Sequence, residues 1–201
     1  MWLESLSDSE NFSAFADQCY QQHKQSQLPD YIYHGNLLLD TEFLNSLDFA
    51  ESLVFKKHSL ISAKEFPRLG KIHDAFNDNV YDTAIIDDNH DVSVFLKKQF
   101  NLKTIFISVH RQHPNNIVGI HKDSNKSLIA KHQEDFLISK LKKYIVFVTP
   151  WSEGQVFMLG RSAYTNWNVG DVISFEWFMP HATANASTDD RCILFVSGVE
   201  N

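Results

Sequence analysis

Gly170-Asp-Val-Ile-Ser-Phe-Glu-Trp-Phe-Met-Pro-His181-Ala-Thr-Ala-Asn185, followed after Ala186-Ser-Thr-Asp-Asp190 by Arg191-Cys-Ile-Leu-Phe-Val-Ser-Gly198, is the stretch on which the fold turns. Gly170-Asp171 is a turn signal, and Val172 to Trp177 reads as a strand of β-branched and aromatic residues. Pro180-His181 lies at that strand's end, where a side chain can face a cavity. Ser187 to Asp190 reads as a polar turn, and Arg191 opens a second strand running to Val196. If these two strands form a hairpin, His181 and Arg191 face each other, and the pattern offers a place for a metal beside a place for an anion.

Upstream, Gly119-Ile120-His121-Lys122-Asp123 supplies further ligands. Within a strand, residues i and i+2 share a face, so an extended segment presents the His121 imidazole and the Asp123 carboxylate together. Two histidines and one carboxylate leave other positions of an ion open, the arrangement associated with non-haem Fe(II) oxygenases. Arg191, permanently cationic and forked, suits a carboxylate bidentately. A His-x-Asp pair alone is a weak signal in a chain with ten histidines. His132-Gln-Glu134 is a decoy in a segment of helical character, whereas the apolar run Ile117-Val-Gly-Ile120 leads straight into His121.

On His121-Lys122-Asp123, the distal His181 and Arg191 ten positions beyond it, the chain resembles the Fe(II)- and 2-oxoglutarate-dependent dioxygenases. Trp151-Ser-Glu-Gly-Gln155 and Trp167-Asn-Val-Gly-Asp171 are similar to signatures around that family's core. The resemblance covers roughly Thr104 to Gly198. It implies a mainly β fold with flanking helices, in which a double-stranded β-helix (jelly-roll, cupin-like) core is buttressed by N-terminal helices. It implies iron held by His121, Asp123 and His181, with 2-oxoglutarate anchored by Arg191 and O2 as co-substrate. The implied reaction is hydroxylation of an amino acid, free or within a polypeptide, releasing succinate and CO2. The similarity of Trp167 to Val196 to the prolyl and aspartyl/asparaginyl hydroxylase branches carries that substrate class. The chain departs from the pattern where many members place Ser or Thr, two residues after the arginine; Ile193 stands there, leaving the second carboxylate partner unassigned. The alternatives are a noncatalytic cupin-like protein binding a small ligand, and a metal-dependent cupin enzyme that does not use 2-oxoglutarate.

The 201 residues, 43% hydrophobic and with sixteen Phe, suffice for a sizeable core. The reading is one domain over 1–201, with a mixed α/β buttress over 1–102 and the catalytic core over 103–199. A formal charge of −7 argues against a nucleic-acid surface. Cys19 and Cys192 allow no disulfide framework, and Cys192 is expected to alternate outward from Arg191 as a buried thiol. The first residues lack a signal-peptide pattern and no run reaches membrane-spanning length, so a cytoplasmic location without membrane contact is expected. The sequence sets no oligomeric state.

Along the buttress, helices are expected over 8–25, 40–47, 66–77 and 92–100, with a strand over 31–39; 53–67 reads as mixed. Phe43, Leu44 and Leu47 are expected to be buried. His73 and Asp74 read as surface residues, and Asp87-Asp-Asn-His-Asp91 as a cap on the helix that follows rather than a ligand set. Strands are expected over 103–109, 144–149, 154–159 and 162–167. His110 and His113 either contact substrate or serve in the turn. Asn185 either positions substrate or satisfies loop backbone. The segment 124–143 is either a lid or a packed connection.

Overall fold

The computed structural model of the chain describes residues 9–51, 81–123, 125, 128 and 140–201. The expected helix over 66–77, the mixed stretch 53–67, the decoy at 132–134 and nearly all of the 124–143 connection lie outside the described residues.

Apolar runs with period-two alternation dominate the second half of the chain, and they form strands. In order these are β4 (Leu102–Gln112), β5 (Asn116–His121), β6 (Leu141–Phe147), β7 (Gln155–Leu159), β8 (Ser162–Tyr164), β9 (Asp171–Glu176), β10 (His181–Asn185) and β11 (Arg191–Glu200). Three earlier strands, β1 (Ile32–Asn36), β2 (Ala50–Glu51) and β3 (Asp82–Ile86), precede them. One sheet has the order β1-β9-β6-β11-β4-β3-β2, the other β5-β10-β7-β8, and the strand pairs within each are antiparallel. From β4 onward the chain shuttles between the sheets, with β9-β6-β11-β4 facing β5-β10-β7-β8. That order is a double-stranded β-helix, the jelly roll of the cupins.

β11 shows how the core is divided. Arg191, Ile193 and Phe195 alternate with Cys192, Leu194 and Val196, and all six are buried. Ile193 and Phe195 join Phe147, Phe157, Phe175 and Ile173 in one apolar cluster. Leu194 and Val196 join a second cluster with Ile107, Val109 and Val146. The second cluster is capped by helix α2 (Asp91–Gln99), which inserts Val92 and Leu96. Cys192 is a buried free thiol in that layer, as its parity requires. Helix α1 (Ser9–Gln25) brings Ala16 against Trp177, Leu141 and Val199.

Described residues of the first hundred also enter the large sheet. β1, β2 and β3 extend the large sheet at both edges, β1 on β9 and β3 on β4. At 40–47 the expected helix is a 3-10 segment, Glu42–Ser46, and Phe43, Leu44 and Leu47 are only partly buried against the core. Its Thr41 N-cap makes no side-chain bond. The 87–91 cluster does cap α2: His90 Nδ1 accepts from Val92 N at 3.2 Å, and Asp87 closes the preceding turn by accepting from Asn89 N at 2.8 Å. Gly170 is fixed sterically, since its φ is +89° and a Cβ would lie 2.2 Å from the Leu37 carbonyl oxygen.

The expected hairpin of 172–177 with 191–196 does not form. β6 lies between β9 and β11, and His181 instead opens its own strand, β10, in the opposite sheet. The composition of β10, His-Ala-Thr-Ala-Asn, has little β-propensity and hid the strand. His181 and Arg191 therefore meet across the barrel rather than along one hairpin. Among the described residues, no helix is long and apolar enough to cross a membrane.

Candidate metal centre and anion pocket

β5 and β10 pair so that His121 sits directly opposite His181. The next matched pair is Val118 with Thr183, so three steps on β5 correspond to two on β10. This bulge reverses strand parity, letting both Val118 and His121 face the cavity while Ile117 and Ile120 remain exposed. Asp123 lies two residues beyond the end of β5, so strand alternation does not place it. It is held from the opposite sheet, where Lys143 Nζ on β6 donates to Asp123 Oδ2 at 2.8 Å.

The result is a compact cluster. Asp123 Oδ1 lies 3.8 Å from His121 Nε2 and 3.6 Å from His181 Nε2, and the candidate ligand atoms all fall within 4.8 Å of one another. Each imidazole is oriented by a backbone carbonyl two residues earlier: His121 Nδ1 is 2.9 Å from Gly119 O and His181 Nδ1 is 3.1 Å from Met179 O. A carbonyl only accepts, so Nδ1 carries the proton and donates, leaving an Nε2 lone pair for the shared centre. Burial pulls His181 down to about 4, so it is neutral at pH 7. Burial alone would raise the Asp123 carboxyl, but Lys143 and the two imidazoles hold it well below the usual carboxylate range. The donor set, two imidazoles and an ionised acid, fits one divalent ion.

Beside this cluster, lining the same cavity, lies Arg191. It is 2% exposed, and among the described residues no carboxylate pairs with it. Its Nη1 donates to Val156 O at 3.0 Å, its Nη2 donates to Gln112 Oε1, and its Nε has no acceptor among the described residues. Burial lowers its pKa to about 9, still cationic at neutral pH. A buried cation whose acceptors among the described residues are all neutral is a costly arrangement that an anionic ligand relieves.

His110 and His113 divide. His110 lines the cavity, stacked between Tyr81 at 4.5 Å and Phe195 at 5.4 Å, and burial lowers it to about 3. His113 lies outside, between Asp82 at 2.9 Å and Asp190 at 2.8 Å. Asn185 satisfies loop backbone: its amide donates to Gln112 O and Asp189 O, and its Oδ1 accepts from Ser187.

Sequence reasoning missed Lys143, Gln112 and Thr183, which all touch this cavity or its charges. Lys143 looked like one more lysine of Lys140-Leu-Lys-Lys143. Its parity with Ile145 and Phe147, both buried on the barrel side, was the available signal. Nothing local singled out Gln112 or Thr183.

The fold and site define a cupin-type jelly roll carrying a His-Asp-His cluster able to share a metal ion. No protein-family model matches the chain, and no curated protein matches it by sequence. Similar solved structures include a variant of Bacillus subtilis oxalate decarboxylase, with 16% identity, 62% of this chain, 27% of that chain and TM-score 0.38. A cupin domain from Bordetella pertussis tohama i gives 11% identity over 60% of this chain and 94% of that one, with TM-score 0.37. A cupin-2 domain from Rhodospirillum rubrum gives 7%, 61%, 62% and 0.38 respectively. The chain thus spans about a quarter of the length of the oxalate decarboxylase it matches. The assignment of the fold stands on the strand order.

Proposed function

We propose that the protein is an Fe(II)- and 2-oxoglutarate-dependent dioxygenase that hydroxylates an amino acid, free or in a polypeptide. The observation that carries this reading is a buried guanidinium without an acidic partner among the described residues, in one cavity with two imidazoles and a carboxylate. His121, Asp123 and His181 would hold the iron through Nε2, Oδ1 and Nε2. When bound, iron and 2-oxoglutarate supply oxygen activation, with the oxo-acid converted to succinate and CO2 as one oxygen atom enters a substrate C–H bond.

The chain's own groups prepare that chemistry. The Gly119 and Met179 carbonyls fix both imidazoles in the tautomer that leaves Nε2 free of a proton. Lys143 occupies Asp123 Oδ2, so Oδ1 is the oxygen turned toward the histidines. Arg191 provides the cation for the distal carboxylate of the oxo-acid. Phe157, Phe195 and Val118 wall the cavity with apolar surface, limiting water around the reacting centre. The likeness of Trp167 to Val196 to amino-acid hydroxylases supports the substrate class.

Anaerobic addition of Fe(II) and 2-oxoglutarate is expected to produce a visible charge-transfer band, absent in Asp123→Ala. A screen of amino acids and peptides is expected to give substrate-dependent succinate release. Arg191→Met should weaken 2-oxoglutarate binding by roughly 10–100-fold, the worth of hydrogen bonds to a charged group. A wild-type protein that binds Fe(II) but develops no band with 2-oxoglutarate would overturn the reading in favour of a cupin-like binding protein or another metal-dependent cupin enzyme.

A further inference from the structure

We propose that Gln112 and Thr183 complete the acid-binding end of the cavity, with the Gln112 side-chain amide acting as a resident stand-in that an incoming carboxylate displaces. This inference rests on the reading of the site as one for a dicarboxylate.

Arg191, the first residue of β11, pairs in register with Gln112, the last residue of β4. The guanidinium reaches across to β7, donating to the Val156 carbonyl, so it bridges the two sheets. Position 193, next on the same face, is an apolar Ile that offers no donor. The hydroxyl comes from the opposite sheet. Thr183 lies two residues after His181 on β10, lines the same cavity, and donates through Oγ1 to Gln112 Oε1 at 3.2 Å.

Gln112 Oε1 therefore sits at the focus of a cation and a hydroxyl, with both lone pairs engaged. That is the environment of a carboxylate oxygen, occupied by a neutral amide oxygen. The Arg191 bond to the amide is already charge-assisted through its donor, but a carboxylate adds a full opposite charge and a second oxygen for the guanidinium fork, so it outcompetes the amide for these donors. Gln112 Nε2 donates to the Asn116 carbonyl at 2.9 Å, an anchor that keeps the side chain beside the pocket. The spacing also sets ligand length. Two residues along β10 separate the His181 and Thr183 side chains by roughly 7 Å, so the site favours a short diacid reaching from the metal cluster to Thr183.

The test uses glutarate, a diacid without the oxo group that would chelate a metal, and 2-oxoglutarate, titrated by calorimetry into the full-length metal-free protein. Wild type is expected to bind both. Thr183→Val, nearly isosteric but without a hydroxyl, should bind glutarate about tenfold more weakly, and Thr183→Ser should restore the affinity. Gln112→Glu, which fixes an anion on Arg191, should abolish diacid binding while retaining metal binding. Wild-type affinity in Thr183→Val, diacid binding by Gln112→Glu, or no binding of either diacid by wild type would overturn the proposal. Glutarate binding with no 2-oxoglutarate turnover would leave this pocket standing and remove the dioxygenase reading. Turnover with unchanged affinity in Thr183→Val would do the reverse.

Discussion

Replacing Lys143 with Met keeps most of the side chain's length and removes its charge. Lys143 is 4% exposed at the side chain, and its ammonium bonds Asp123 Oδ2 at 2.8 Å while lying 5.0 Å from the Phe195 ring centroid. Breaking a buried ion pair by removing one partner costs about 3–5 kcal/mol, because the other charge is left uncompensated. Asp123 retains 25% side-chain exposure, and solvent screens part of the stranded charge, so a loss of about 2–3 kcal/mol is expected in the metal-free protein. Urea denaturation of wild type, Lys143→Met, Asp123→Asn and the double variant measures this as a cycle. In the Asp123→Asn background, the lysine substitution should cost much less, since no carboxylate remains to strand. Added Mn(II) should narrow the gap between Lys143→Met and wild type, because the dication replaces the ammonium as counter-charge. A coupling energy below about 0.5 kcal/mol, within the scatter of independent sites, would refute the argument that this lysine holds the acid.

Two other perturbations probe the structure away from the cluster. Burial alone pulls His113 down, but its bonds to Asp190 and Asp82 outweigh that and raise its pKa above the ordinary 6.5. A raised folded-state value gives stability that is complete below the unfolded pKa and lost as pH rises through the folded one. The stability deficit of His113→Gln should thus be larger at pH 6 than at pH 9; a deficit that grows with pH would contradict the assignment. Phe147, with 0% exposure, stacks on Trp167 at a centroid distance of 4.3 Å. Phe147→Ala should cost about 3–5 kcal/mol, and a loss under about 1 kcal/mol by denaturant melt would contradict its place in the inter-sheet core.

The sequence by itself singled out candidate residues by chemical type and setting. His121, Asp123, His181 and Arg191 were legible because imidazole, carboxylate and guanidinium types stood at or beside short apolar runs, and those runs gave most strands of the barrel. Cys192 could be placed outward because side-chain alternation is local. What tertiary structure decided was which sheet each run joined. Strand pairing depends on partners far along the chain, so β10, poor in β-formers, became visible only where β5 and β7 flank it. The one-residue bulge opposite it changed which side of β5 meets the cavity, something that i, i+2 counting cannot register. Lys143, Gln112 and Thr183 reach the site from three different strands. Their placement there follows from burial beside a charge, which belongs to the assembled barrel and to no stretch of sequence.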